Sequence, residues 1–202
     1  MLLNLPEGIY QNVSVTRCIY QNDYLNFPNL SPTRDSLVTI YESWKNLNKT
    51  LTLVGARGVN IPEGLTEVLY CYLSGAWRTN KLNIQGCNTS FDCYLPANQP
   101  NLDGQRIQIK ACSVAPDLTS FGPHSVWDKL IFIDFSEGNG NFYIYDIPTN
   151  LVTERILNSR NGETFTMQQL QGRRPRLSLL QVIQENNLQY SFTGNIYQLP
   201  IY

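Results

Sequence analysis

Polar and apolar residues alternate through Arg106-Ile107-Gln108-Ile109-Lys110, a period of two that predicts a half-buried strand. On such a strand Ile107 and Ile109 share the face turned to the core, and Gln108 and Lys110 share the opposite face. Further along, KLIFIDF (Lys129–Phe135) and NFYIYDI (Asn141–Ile147) are apolar runs on either side of the Gly/Asn-rich Ser136–Gly140, the pattern of a β-hairpin. Helical spacing appears earlier in the chain. Leu37, Ile40, Tyr41, Trp44 and Leu47 predict a helix that opens at Ser31-Pro32 and runs to about Leu47. Leu65, Val68, Leu69, Tyr72 and Leu73 predict a second, capped by Asn60, with Pro62 near its start and Gly75 near its end. Glu67 lies off that stripe, beside the small residues Gly64, Cys71 and Ser74. Taken alone it reads either as a solvated surface glutamate or as a carboxylate carried close to a sheet. A short strand at Val13–Ile19, helical or irregular structure over 148–157, a short helix or loop over Glu163–Gln171, a strand at Leu177–Leu180 and a helix to about Asn187 complete the expectation.

Composition narrows this little. At 202 residues, 42% hydrophobic and 15% charged, the chain reads as a single globular domain, 1–202, with no repeat or linker that would demand two. A net charge of −1 gives no support to a nucleic-acid partner, although a local basic strip is enough to bind one. The five cysteines are odd in number and lack CxxC spacing, so they read as reduced, buried residues of an intracellular protein. The single histidine, His124, weakens the case for a structural zinc site or a Ser-His-Asp hydrolase. No apolar run has the length of a membrane span, and the expected location is the cytoplasm.

The chemistry gathers in SFDCYLPANQPNLDGQRIQIK, which ends at Lys110. If Asp92 lies on the strand preceding Gln108 and Lys110 in one hairpin, a carboxylate, an amide and an ammonium meet on one polar face. Phosphodiester hydrolysis needs an oriented water and neutralisation of developing charge, which carboxylate-bound Mg²⁺ and a nearby lysine supply. Mg²⁺ prefers hard oxygen donors. Asp92, Glu67, the amide oxygen of Gln108 and the carbonyl of Ile109 suit it, with Lys110 at the water. Asp103, in LDG, reads as a turn residue instead. The densest basic cluster is Gln171-Gly172-Arg173-Arg174-Pro175-Arg176, where Arg173, Arg174 and Arg176 are either DNA contacts or a solvated loop. Ser120 and His124, in TSFGPH, touch DNA or hold their loop. Trp77-Arg78 and Trp127 are open between core and interface.

Glu67 on a helix, Asp92 on a strand and Gln108-x-Lys110 on the next strand resemble the PD-(D/E)XK nuclease core. More specifically, NIPEGLTEVLYCYLSG, SFDCYL, RIQIKACSVAPDLTSFGP, WDKLIFIDF and QGRRPRLSL, in this order across residues 60–180, resemble type II restriction endonucleases. The resemblance implies an α/β (α+β) fold: a mixed central β-sheet flanked by helices, with a core over about 60–180. Residues 1–59 and 181–202 would be elaborations for DNA contact or dimerisation. It implies Mg²⁺-dependent cleavage of double-stranded DNA at a short palindromic or near-palindromic site, with Mn²⁺ as a substitute. It also implies a homodimer and a cognate DNA methyltransferase in the same host. Asp92 matches the motif's metal-binding acid, Lys110 its lysine, and Glu67 the helix-borne acid of part of the family. Two departures stand out. Phe91 replaces the proline, and Gln108 stands where an acid is usual, so Glu67 is expected to restore the missing charge. A sequence-specific DNA-binding module on an inactive core, a repair or junction endonuclease and a β-rich interaction protein are the other readings.

Overall fold

The computed structural model describes residues 15–20, 23–28, 33–78, 91–95 and 104–201, with the backbone alone for the first two segments and for Trp77. Val15–Tyr20 (β1) pairs antiparallel with Asp23–Pro28 (β2). The first helix, α1, is Arg34–Leu53, opened by a capping box in which Thr33 and Ser36 each accept the other's backbone N–H. It starts after Pro32 and runs past Leu47. Of its apolar stripe, Leu37 and Tyr41 are buried, whereas Ile40 and Leu47 are 40% and 49% exposed because only one edge of the stripe meets the core.

Helix α2, Glu63–Ser74, ends at Gly75, whose φ of 72° is the left-handed conformation that glycine adopts without penalty. Asn60 does not cap it. Pro62 occupies the cap position, and the Asn60 side chain reaches a strand end instead. Its Oδ1 accepts from the Ser113 N–H (3.0 Å) and hydroxyl (2.8 Å), and its Nδ2 donates to the Ala111 carbonyl. Asn60 therefore ties the entry of α2 to the sheet.

The remaining elements are β3 (Trp77–Arg78), β4 (Cys93–Leu95), β5 (Gln105–Cys112), β6 (Thr119–Ser120), β7 (Lys129–Asp134), β8 (Asn141–Ile147), α3 (Asn150–Thr153), β9 (Ile156–Asn158), β10 (Glu163–Thr164), α4 (Phe165–Leu170), β11 (Arg176–Leu177), α5 (Leu179–Glu185), β12 (Phe192–Asn195) and a 3-10 turn at Ile196–Gln198. Among the described residues six strands form one mixed sheet in the order β12-β8-β7-β5-β4-β3, with only β5 and β7 parallel. Arg106 and Asp128 fix that parallel register. The Asp128 carboxylate accepts from the Arg106 backbone N–H (2.8 Å) and from Nε (2.9 Å) and Nη2 (2.5 Å) of its guanidinium.

Helices cover both faces, so the central strand β7 is buried on both sides, and its 130–133 stretch reads as an unbroken apolar run. Ile131 and Ile133 join Ile107, Ile109, Leu65 and Leu69 on the α1/α2 side. Leu130 and Phe132 join Phe121, Trp127, Phe165 and Val182 on the other. The expected mixed sheet flanked by helices is therefore present. The packing unit reaches beyond 60–180: β12 completes the sheet, and Leu37, Tyr41 and Ile196 lie in the first core. Cys71, Cys93 and Cys112 are buried free thiols. Among the described residues no helix is long and apolar enough to cross a membrane.

Candidate active site

Asp92 immediately precedes β4, and its backbone N–H donates to the carbonyl of Ile107 on β5 (2.9 Å). The register Cys93↔Ile107 then sets Asp92 beside Gln108. One carboxylate oxygen, Oδ2, accepts the backbone N–H of Ile109 at 2.7 Å and also the side-chain amide N–H of Gln108. The expected hairpin geometry thus brings Asp92, Gln108 and Ile109 together. Gln108 is only 3% exposed, so its amide belongs to the interior of the site. Here the amide donates to Asp92 through nitrogen. A metal taken by Gln108 needs the amide turned to present its oxygen.

Glu67 is the second carboxylate. Its helix packs small residues onto the sheet, as the sequence suggested: Cys71 Sγ lies 3.3 Å from Cys93 Sγ, and the Cys93 thiol meets the Glu67 carbonyl at 3.8 Å. Close approach puts Glu67 at the start of β4, with its side chain 12% exposed. Burial is the first reason that its carboxyl titrates above the ordinary glutamate range, and Arg78 opposes that rise. Burial likewise pushes Asp92 up to about 6, against the lowering influence of the Ile109 N–H and the Lys110 charge, while Glu67 and Glu63 add to the rise. The two acids and the lysine therefore act on one another electrostatically.

Arg78 was not identified as part of this group. From β3 its Nε donates to Glu67 Oε2 at 2.6 Å, while its side chain stays 49% exposed. Eleven positions and a helix end separate the two residues, and no local pattern connects them. Glu67 therefore brings a charge that Arg78 already balances, which changes how it can compensate for the amide at Gln108.

Lys110 lies on the same face of β5 as Gln108. Its Nζ sits 5.6 Å from the centroid of the Phe121 ring. Among the described residues its ammonium makes no hydrogen bond or ion pair.

The two stretches singled out for DNA contact are neighbours. β6 and β11 pair antiparallel with Ser120 opposite Arg176, and the Phe121 N–H donates to the Pro175 carbonyl at 3.0 Å. Arg174, Arg176 and His124 are exposed. Arg173 is bound to the Glu163 carboxylate, so its charge is partly spent within the fold. The buried Ser120 Oγ has no hydrogen-bond partner among the described residues. Gln169 holds the loop from α4 by donating to the carbonyls of Gly122 (2.9 Å) and Ser125 (3.3 Å). Trp127, open between core and interface in the sequence, is core.

Asp117 is a further structural residue to which the sequence assigns no role. Buried at 8% exposure, it accepts from Thr119 Oγ1 (2.9 Å), Ser178 Oγ (2.5 Å) and the backbone N–H groups of Leu179 (2.8 Å) and Leu180 (3.1 Å). It thus fastens the N-terminus of α5 to the β6 loop. The D-x-T spacing was its only local signal. Asp103 lies outside the described residues.

Oxygen donors suited to a hard divalent cation are present in Asp92 and Glu67, two partly buried acids that both titrate above their ordinary range, with Glu67 adding to the rise at Asp92. Among the described residues no group of three or more His, Cys, Asp or Glu side chains is placed to hold a metal. A cation here would therefore rest on two carboxylates with the Gln108 amide and backbone or water oxygens.

A family model described as Bsp6I restriction endonuclease matches residues 31–186. The type II restriction enzyme Bsp6I of Bacillus sp. (strain RFL6) is 32% identical over 154 residues, covering 76% of this chain and 82% of that protein. No solved structure matches the chain.

Proposed function

Because the chain belongs to the Bsp6I restriction endonuclease family, we propose that it is a type II site-specific endodeoxyribonuclease that hydrolyses phosphodiester bonds of double-stranded DNA. The observation that carries the mechanism is the convergence of Asp92, Glu67 and Lys110 where β4 and β5 meet α2. Asp92, Glu67 and the oxygen of Gln108, with the Ile109 carbonyl, would hold Mg²⁺, and Mn²⁺ would substitute. Bound there, the ion supplies charge neutralisation at the phosphate. Lys110 orients the attacking water and offsets charge that grows on the phosphate oxygens. Arg174 and Arg176 hold the DNA backbone or read guanine, with Ser120 and His124 beside them and Arg173 contributing once released from Glu163. The site cut is palindromic or near-palindromic, the active species is a homodimer, and a methyltransferase of the same host protects that site.

A second reading is favoured by two contacts. Gln108 gives its amide N–H to Asp92, and Arg78 balances Glu67. That arrangement suits a core that binds DNA without cutting it. Incubating phage-sized duplex DNA with the protein in Mg²⁺ and in EDTA separates the two. Discrete fragments that need the metal support the endonuclease. Intact, unmethylated DNA of broad sequence content in both Mg²⁺ and Mn²⁺ would refute it and leave the binding module.

A further inference from the structure

Lys110 is in an unusual setting for a cationic residue next to two carboxylates. Its charge bears on Asp92 and Glu67, yet among the described residues its ammonium pairs with neither and lies over an aromatic ring. Nζ lies 5.6 Å from the Phe121 centroid, within the range over which a ring face attracts a cation. Phe121 is poorly free to move. It is 1% exposed, its ring meets Trp127 (centroids 5.3 Å apart) and Phe165 (5.1 Å apart), and its N–H is bonded to Pro175 at 3.0 Å. A four-carbon side chain has many rotamers, and a fixed ring face selects among them without lowering the number of donors the ammonium keeps for water or phosphate.

We propose that Phe121 is a positioning residue for the reaction: its ring face holds the Lys110 ammonium at the site, and its backbone bond to Pro175 ties that placement to the arginine-bearing segment. The inference rests on the reading of Lys110 as the catalytic lysine. It adds that the DNA-contact segment and the lysine share one rigid mount. Engagement of Arg174 and Arg176 by DNA therefore bears on the position of Lys110 through Pro175 and Phe121.

Replacing Phe121 site-specifically with mono-, di- and trifluorinated phenylalanine tests this at nearly constant ring shape. Fluorine drains the ring face of negative potential and leaves a purely structural role almost unchanged. Single-turnover cleavage in Mg²⁺, DNA affinity and the thermal midpoint are measured for each protein, with Lys110→Ala as the control. The single-turnover rate should fall stepwise along the series, by about fivefold or more at the trifluorinated ring. DNA affinity and thermal midpoint should stay near those of the unmodified protein. Phe121→Leu, if it folds, should show the same selective loss of rate. A flat rate across the series with an inactive Lys110→Ala protein would overturn the role of Phe121 and leave the site reading intact. Cleavage by Lys110→Ala at the unmodified rate would overturn both.

Discussion

Replacing Asp92 by Asn should remove cleavage and, in metal-free buffer, make the protein more stable near neutral pH. The geometry permits this combination. The bonds that the Ile109 N–H and the Gln108 amide make to Asp92 end on one oxygen, Oδ2, so the carbonyl oxygen of Asn can accept both. The change therefore removes a largely buried charge and keeps these two bonds. Burial moves the Asp92 carboxyl from 3.8 to about 6, so the folded chain holds this proton more tightly than the unfolded chain does. Folding is consequently favoured below the unfolded value, and that advantage is lost as pH rises through about 6. Two units at about 1.4 kcal/mol each give a penalty of up to about 3 kcal/mol for the ionised form. Asn stands in for the protonated carboxyl and escapes the penalty. Urea unfolding of both proteins in EDTA should show Asp92→Asn more stable by up to about 3 kcal/mol at roughly pH 8, with the difference vanishing toward roughly pH 4. Mg²⁺ should then raise the stability of the unmodified protein more than that of Asp92→Asn, because the variant keeps only the Glu67 carboxylate as a charged ligand. An Asn protein no more stable at the higher pH, or a difference that does not change with pH, would refute the account of Asp92 as an acid whose charge is disfavoured by burial.

Arg78→Ala should push the Glu67 carboxyl further up, since Arg78 opposes the effect of burial there; the rising limb of the cleavage pH profile should move to higher pH, and an unmoved limb would separate Glu67 from the chemistry. Asp117→Ala strips acceptors from two hydroxyls and two backbone N–H groups at the start of α5 and should cost about 2–4 kcal/mol in urea unfolding. A loss below the lower bound would mean that water replaces the carboxylate. Arg174→Ala and Arg176→Ala should each lower the slope of log binding constant against log salt by about 1 if the residue contacts a phosphate. Arg173→Ala should have a smaller effect because Glu163 already holds that guanidinium.

Much of the fold was legible because local rules and tertiary environment agreed. The β7–β8 hairpin, the alternation of β5 and the glycine-ended α2 were each predicted by a period or a turn that the finished structure also uses. The sequence left open whether Asp92 lies on the strand before Gln108 and Lys110; the pairing of β4 with β5 sets it beside Gln108. Membership of the restriction endonuclease family, expected from the same ordered motifs, agrees with the mixed sheet and its covering helices.

The sequence by itself determined which residues could do chemistry and which strands would carry them, because those properties depend on residue type and on neighbours a few positions away. Only the tertiary structure decided what each charge faces. Arg78 neutralises Glu67, Glu163 holds Arg173, Asp117 fastens α5, and a phenylalanine ring lies under Lys110. None of these pairs has a spacing rule. Each arises where two elements cross, and burial there makes the partner of a charge matter more than its place in the chain.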